Sequence, residues 1–279
     1  MPLKNLLVHL DLRKAAGKRA DAAIALAAAH DAHLTALLTA MTPSFPGYVA
    51  IAIPDEVRAQ TEAEIRRSLA LIEQSFRNKA EAAGIKYEAH TEVGVASPLG
   101  SLVLNSRYFD LTILGQADPS EPVLGENSLA EDAVLSCGRG VLVVPYVGAS
   151  KGFGQRVMVA WDASREAARA VADAMPLLER AEAVTIATVS AGESRHGHGR
   201  LPATDIATHL ARHGIAVDVK NFIDIEIGVA NTLLSRIADQ GVDLLVMGAY
   251  GHSRLREVIL GGVTQNILKT MTVPVLMSH

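Results

Sequence analysis

The chain repeats its own grammar, and this limits its fold more than any other feature. LLVHLD ending at Asp11 is matched by VMVAWD ending at Asp162, DLTILG ending at Gly115 by DLLVMG ending at Gly248, and GVLVVP by VPVLMS. Self-similarity at this period means one supersecondary unit used twice. Each unit reads as alternating strand and helix: apolar runs of four to eight residues separated by stretches with apolar residues at helical spacing. That order, β-α-β-α-β-α-β-α-β, predicts a mostly parallel sheet covered by helices on both faces. The 279 residues suit two such domains, with boundaries at residues 1–147 and 154–279 and the glycine-rich link Gly148 to Gly154 between them.

Within the first unit the predicted elements are a strand over Leu3 to Leu10, a helix over Arg13 to His30 and a strand over His33 to Ala40. A Pro-rich stretch, Thr42 to Pro54, precedes a long helix from Asp55 to about Ala83 with Gly84 as its C-cap. Ser97 and Pro98 form a cap and first turn for a helix to Ser106. Thr42 to Pro54 is apolar for a loop, which suits either core contact or a partner surface.

Composition removes several classes of function. With 26 Lys and Arg against 30 Asp and Glu, a net charge of −4 and 4% aromatic residues, neither a phosphate-tracking basic surface nor a base-stacking platform is expected. Nucleic acid is therefore not an expected partner. No apolar run reaches the roughly 18 residues of a membrane span, and the acid at Asp11 argues against a signal peptide. The single Cys137 cannot form an internal disulfide, which fits a reducing cytoplasm. The expectation is a soluble cytoplasmic protein without a membrane partner.

The most specific local pattern is Gly248-Ala-Tyr-Gly251, nine residues, then Gly261-Gly262-Val263-Thr264, between a buried strand and a helix. Glycines there let backbone N–H groups turn toward an anion, and the helix start adds its positive dipole end. The alternative is a tight turn after a strand with no ligand. In a doubly wound sheet the ligand lies beyond the carboxyl ends of the strands. Asp162, Val189 and Gly248 all end strands of this half. Asp162 is compatible with two roles: a ribose or metal contact, or the N-cap of the following helix. His196 with His198, and His30 with His33, lack an evident third metal ligand. Gly148-Ala-Ser150-Lys-Gly152 matches a nucleophile elbow but precedes a strand, where an elbow follows one.

The strand ending in Asp, the G-x-x-G-(nine)-G-G-V-T stretch and the closing P-V-L strand together resemble the universal stress protein family, over both halves. The resemblance implies two five-stranded parallel sheets of the adenine nucleotide alpha hydrolase-like kind, packed as an intramolecular pseudo-dimer by their last strands, with a further homodimer open. It implies an adenine nucleotide, ATP with or without Mg²⁺, in the second half. Base and ribose would be held by Asp162 and the Val189 backbone, with Met247 flanking. The phosphates would be held by Gly248, Gly251, Gly261, Gly262 and Val263, with Thr264 as a further contact.

Gly262 stands where the family usually has a hydroxyl. The missing hydrogen bond to a charged group is worth roughly 1.5–3 kcal/mol, so weaker binding follows. Trp161 is bulkier than the family's usual residue and is expected to cover or narrow the base site. In the first half Asp118 replaces the second glycine, and a carboxylate facing phosphate is repulsive; no nucleotide is assigned there. With no nucleophile or general base beside the loop, the leading reading is a stress-response binding module. The alternatives are a slow ATPase, with Asp162 holding magnesium, and a nucleotide-free scaffold for an apolar molecule or a protein.

Overall fold

The computed structural model describes residues 2–41, 54–94, 97–121, 129–150, 152–190, 202–223, 227–251 and 262–279. The first half runs β1 (Asn5–Leu10), α1 (Ala16–His30), β2 (His33–Ala40), α2 (Asp55–Ala82), β3 (Tyr87–Val93), α3 (Pro98–Ser106), β4 (Leu111–Gly115), α4 (Leu129–Ser136), β5 (Gly140–Val144). The second runs β6 (Arg156–Ala160), α5 (Arg165–Leu178), β7 (Ala183–Ser190), α6 (Pro202–Arg212), β8 (Val217–Ile223), α7 (Val229–Asp239), β9 (Leu244–Gly248), α8 (Val263–Thr270), β10 (Val275–Ser278).

Local chemistry sets several boundaries. Ser97 caps α3 by accepting from the Leu99 N–H, with Pro98 in the first turn. Beyond α2, Gly84 takes φ +67°, which lets the Ile85 N–H return to the Ala80 carbonyl and close the helix end.

The strands form one sheet in the order β3-β2-β1-β4-β5-β10-β9-β6-β7-β8. Neighbours within each half are parallel, and only the central pair, β5 with β10, is antiparallel, Leu142 facing Leu276. Each half is thus a doubly wound five-stranded sheet, and the two join through their last strands about a pseudo-twofold at that pair. Alternation along the strands divides the core. Leu6, Val8 and Leu10 face the layer of α1, α2, α5 and α6, while Leu7, Met158 and Leu245 face the layer of α3, α4, α7 and α8.

The repeated Asp that opens β4 and β9 has the same task in both halves. Asp110 accepts from the Lys4 and Asn5 N–H groups at 2.7 and 2.9 Å. Asp243 accepts from Gly154, Gln155 and Arg156 at 2.8, 3.2 and 3.0 Å. Each carboxylate thereby fixes the entry of the central strand of its half.

Side chains also cross the seam. Buried Gln116 donates to the Leu268 and Lys269 carbonyls at the end of α8, at 2.9 and 3.1 Å, and accepts from the Tyr146 N–H. Asp173 of α5, which accepts from Ser278 on β10 within its own half, meets the other half at β5. A methyl group on Gly140 of β5 would press on the Asp173 Cβ at 3.1 Å. No described helix is long and apolar enough to cross a membrane.

Candidate nucleotide site at the carboxyl ends of β6, β7 and β9

Register brings the predicted residues together. Ala160 pairs with Ala187 on one side and with Met247 on the other, so two residues further on Asp162 lies between Val189 and Ala249. Asp162 is exposed, and its Oδ1 accepts from the Ser164 N–H at 3.0 Å and the Ser164 hydroxyl at 2.6 Å. The cap of α5 is Ser164, whose Oγ accepts from the Ala167 N–H. Asp162 is therefore not the N-cap; it orients the residue that is. Val189 is half-buried near the end of β7, opposite Phe222. Met247 is buried between Ala160 and Met277.

Gly248 closes β9 and does not make the turn. The left-handed residue after β9 is Tyr250, φ 57°. A methyl group on Gly248 would fall on the α5 backbone, 2.6 Å from the Glu166 carbonyl carbon and nearer still to the Ala167 nitrogen. This glycine lets the helix start sit directly on the strand end. Thr264 is buried, and its hydroxyl accepts from the Tyr250 N–H at 3.3 Å, tying the loop after β9 to α8. Gly262 is the N-cap of α8 with extended backbone and no side-chain cap, and Val263 is the first residue of the helix, partly exposed. The first N–H groups of α8 thus lack a side-chain acceptor from its cap. Gly261 lies outside the described residues.

Trp161 packs against the apolar cluster under α5 and α6, and its Nε1 is buried with no partner among the described residues. One residue the sequence reading missed stands in the middle of the site. Glu166, in the first turn of α5, is 2% exposed. Its Cβ lies 2.9 Å from where a Gly248 methyl would sit, and its Oε2 lies 3.0 Å from where a Gly251 methyl would sit. The only sequence signal was an acid in the first turn of a helix, a common surface feature.

The equivalent place in the first half is filled by the protein itself. Asp11 is buried and paired with Arg19, Nη2 to Oδ1 2.7 Å. The Arg19 guanidinium covers Gly115. Burial alone would raise the Asp11 carboxyl, but Arg19, His9 and Arg13 outweigh it and hold it below its ordinary value. His9, fully buried, accepts from or donates to Thr39 Oγ1 at 2.8 Å. Its pKa is lowered to about 4, by burial first, with Arg19 and Arg13 adding to this and Asp11 opposing. Asp118 lies in an exposed turn and accepts from the Ser120 N–H and hydroxyl.

The remaining candidates separate from this edge. His30 is buried, while His33 sits 3.7 Å from Glu88. No group of three or more metal-ligating side chains occurs among the described residues. His196, His198 and all of Thr42 to Pro54 except Pro54 fall outside them. Cys137 is buried and unpaired with another cysteine, its thiol pushed up by burial. A small crevice lined by His30, Phe153 and Arg180 lies at the seam between α1, the interdomain link and α5, away from the strand ends that carry the site.

Fold and strand-end geometry together define a tandem doubly wound α/β protein with a candidate site in its second half. The chain belongs to the universal stress protein family, which matches residues 2–145 and again 154–279. A 53-residue stretch is 42% identical to a universal stress protein of Methanocaldococcus jannaschii, covering 19% of this chain and 33% of that protein. A 55-residue stretch is 38% identical to one from Synechocystis, covering 19% of each. The chain thus spans a third or less of the length of these curated relatives. Among solved structures, a universal stress protein from Archaeoglobus fulgidus superposes with a TM-score of 0.76 at 19% identity, over 98% of this chain and 95% of that one. A universal stress protein structure from Pseudomonas aeruginosa gives 0.62 at 13%, over 99% and 93%. At these identities the likeness is one of fold.

Proposed function

We propose that the second half binds ATP or another adenine nucleotide and that the protein acts as a regulatory binding module of the cytoplasmic stress response. The observation that carries this reading is the convergence of Asp162, the Val189 backbone, the Gly248 to Gly251 stretch and the start of α8 on one sheet edge. In such a site the ribose hydroxyls donate to Asp162, whose Oδ1 is already anchored by Ser164. The base edge meets the backbone near Val189. The phosphates take the N–H groups after β9 and at the start of α8, where the helix dipole favours negative charge.

Since Gly262 supplies only its backbone, binding roughly 10- to 150-fold weaker than with a hydroxyl there is expected. The first half takes no nucleotide in this reading, because the Arg19 guanidinium covers Gly115 and its charge is already paired with Asp11.

Titration of magnesium-ATP into the protein beside Gly251→Asp tests the reading by calorimetry. The emission of Trp161, the chain's single tryptophan, gives a second readout next to Asp162. Saturable binding by the wild type that the variant loses is the expected result. Absence of binding by the wild type to ATP, ADP and AMP at millimolar concentration would refute it.

A further inference from the structure

The side chain of Glu166 runs along the glycine stretch. Its Cβ is packed at Gly248 and its carboxylate at Gly251, and Ser164 Cβ closes the same spot, 3.6 Å from where a Gly251 methyl would lie. The absence of side chains at 248 and 251 is what admits it. Its hydrogen-bonding partner is the Arg165 guanidinium, whose side chain is 84% exposed. A buried carboxylate therefore lies against Gly248 and Gly251 on the wall of the cradle, and among the described residues the cation paired with it is the exposed Arg165.

We propose that Glu166 is a specificity-determining residue, selecting an adenine nucleotide with a single phosphate over the metal-free triphosphate. The inference rests on the nucleotide reading above. A first phosphate is met by N–H groups and the start of α8, while further phosphates following the glycine stretch approach a fixed negative charge. Coulomb repulsion grows with each phosphate and is little screened where the carboxylate is buried. Arg165 lessens the repulsion only while it stays paired, and a divalent cation on the triphosphate lessens it as well.

AMP and ATP, each in EDTA, are titrated into the wild type, Glu166→Gln and Arg165→Gln. The wild type is expected to bind AMP at least about tenfold more tightly than ATP, the order expected for one added like-charge contact. Glu166→Gln keeps the shape and removes the charge; it should tighten ATP by a similar factor and leave AMP within about threefold. Arg165→Gln, its folding checked by circular dichroism because it takes the paired cation from a buried carboxylate, should widen the preference for AMP. A wild type silent toward ATP but binding AMP, with ATP binding restored in Glu166→Gln, supports the inference equally. Equal affinities for AMP and ATP in the wild type, or a ratio that Glu166→Gln leaves unchanged, would overturn it while the nucleotide reading stands. Failure of every protein, Glu166→Gln included, to bind either nucleotide would overturn both.

Discussion

At the scale of single residues, burial changes the chemistry of His9 most. It is the next-to-last residue of the apolar strand β1, close to Asp11 and Arg19, and its pKa falls from 6.5 to about 4. The folded protein therefore holds His9 neutral in a range where the unfolded chain protonates it. Stability is fully present above pH 6.5 and declines as the pH falls toward 4, since the unfolded state then binds the extra proton. His30, lowered by burial and by Arg180, adds in the same direction, and Asp11 adds a further loss below its ordinary carboxylate range. At about 1.4 kcal/mol per pH unit, His9 should cost about 2 kcal/mol between pH 6.5 and 5. Urea unfolding at pH 7.5 and pH 5 should show a shallower decline for His9→Gln than for the wild type. Equal declines would mean that His9 is not the group responsible.

At the scale of elements, the junction of β9 with α5 governs the site. Because the α5 backbone lies against Gly248, the helix start, with Ser164 and Glu166, is brought over the end of the strand. Gly248→Ala should force helix and strand apart, at a cost of about 1–3 kcal/mol or somewhat more because the opposing atoms are backbone. Chemical denaturation should show this loss even without nucleotide. An alanine variant as stable as the wild type would show that α5 can retreat freely. The first half solves the same junction differently: Arg19 lies over Gly115 and reaches Asp11, so the strand end is sealed by an ion pair.

For the whole molecule, the β5–β10 pairing turns two five-stranded sheets into one of ten strands and hides an edge from each. Unpaired edges recruit other strands. Residues 154–279 produced alone should therefore self-associate through β10, as light scattering after gel filtration would show, and adding residues 1–147 should compete. A monodisperse monomer of that segment would mean that β10 does not need its partner. Gln116 reinforces the seam by bonding the last carbonyls of α8, a contact between residues 152 positions apart in sequence.

The sequence by itself determined the elements and their doubling. Apolar runs of strand length, alanine-rich helical stretches and caps such as Ser97-Pro98 and Gly84 are local chemistry, and β2 and β8 occupy the residues expected from periodicity alone. The glycine pattern, with Asp162 at a strand end, likewise marked which edge to inspect. Tertiary structure decided what those residues face. That Gly248 is bare because α5 lies on it, that Tyr250 and not a glycine makes the turn, and that Asp11 is spent on Arg19 are consequences of packing between elements distant in the chain. Glu166 shows the reason most directly: an acid in the first turn of a helix is ordinary in sequence, and the approach of β9 is what places it, buried, against Gly248 and Gly251.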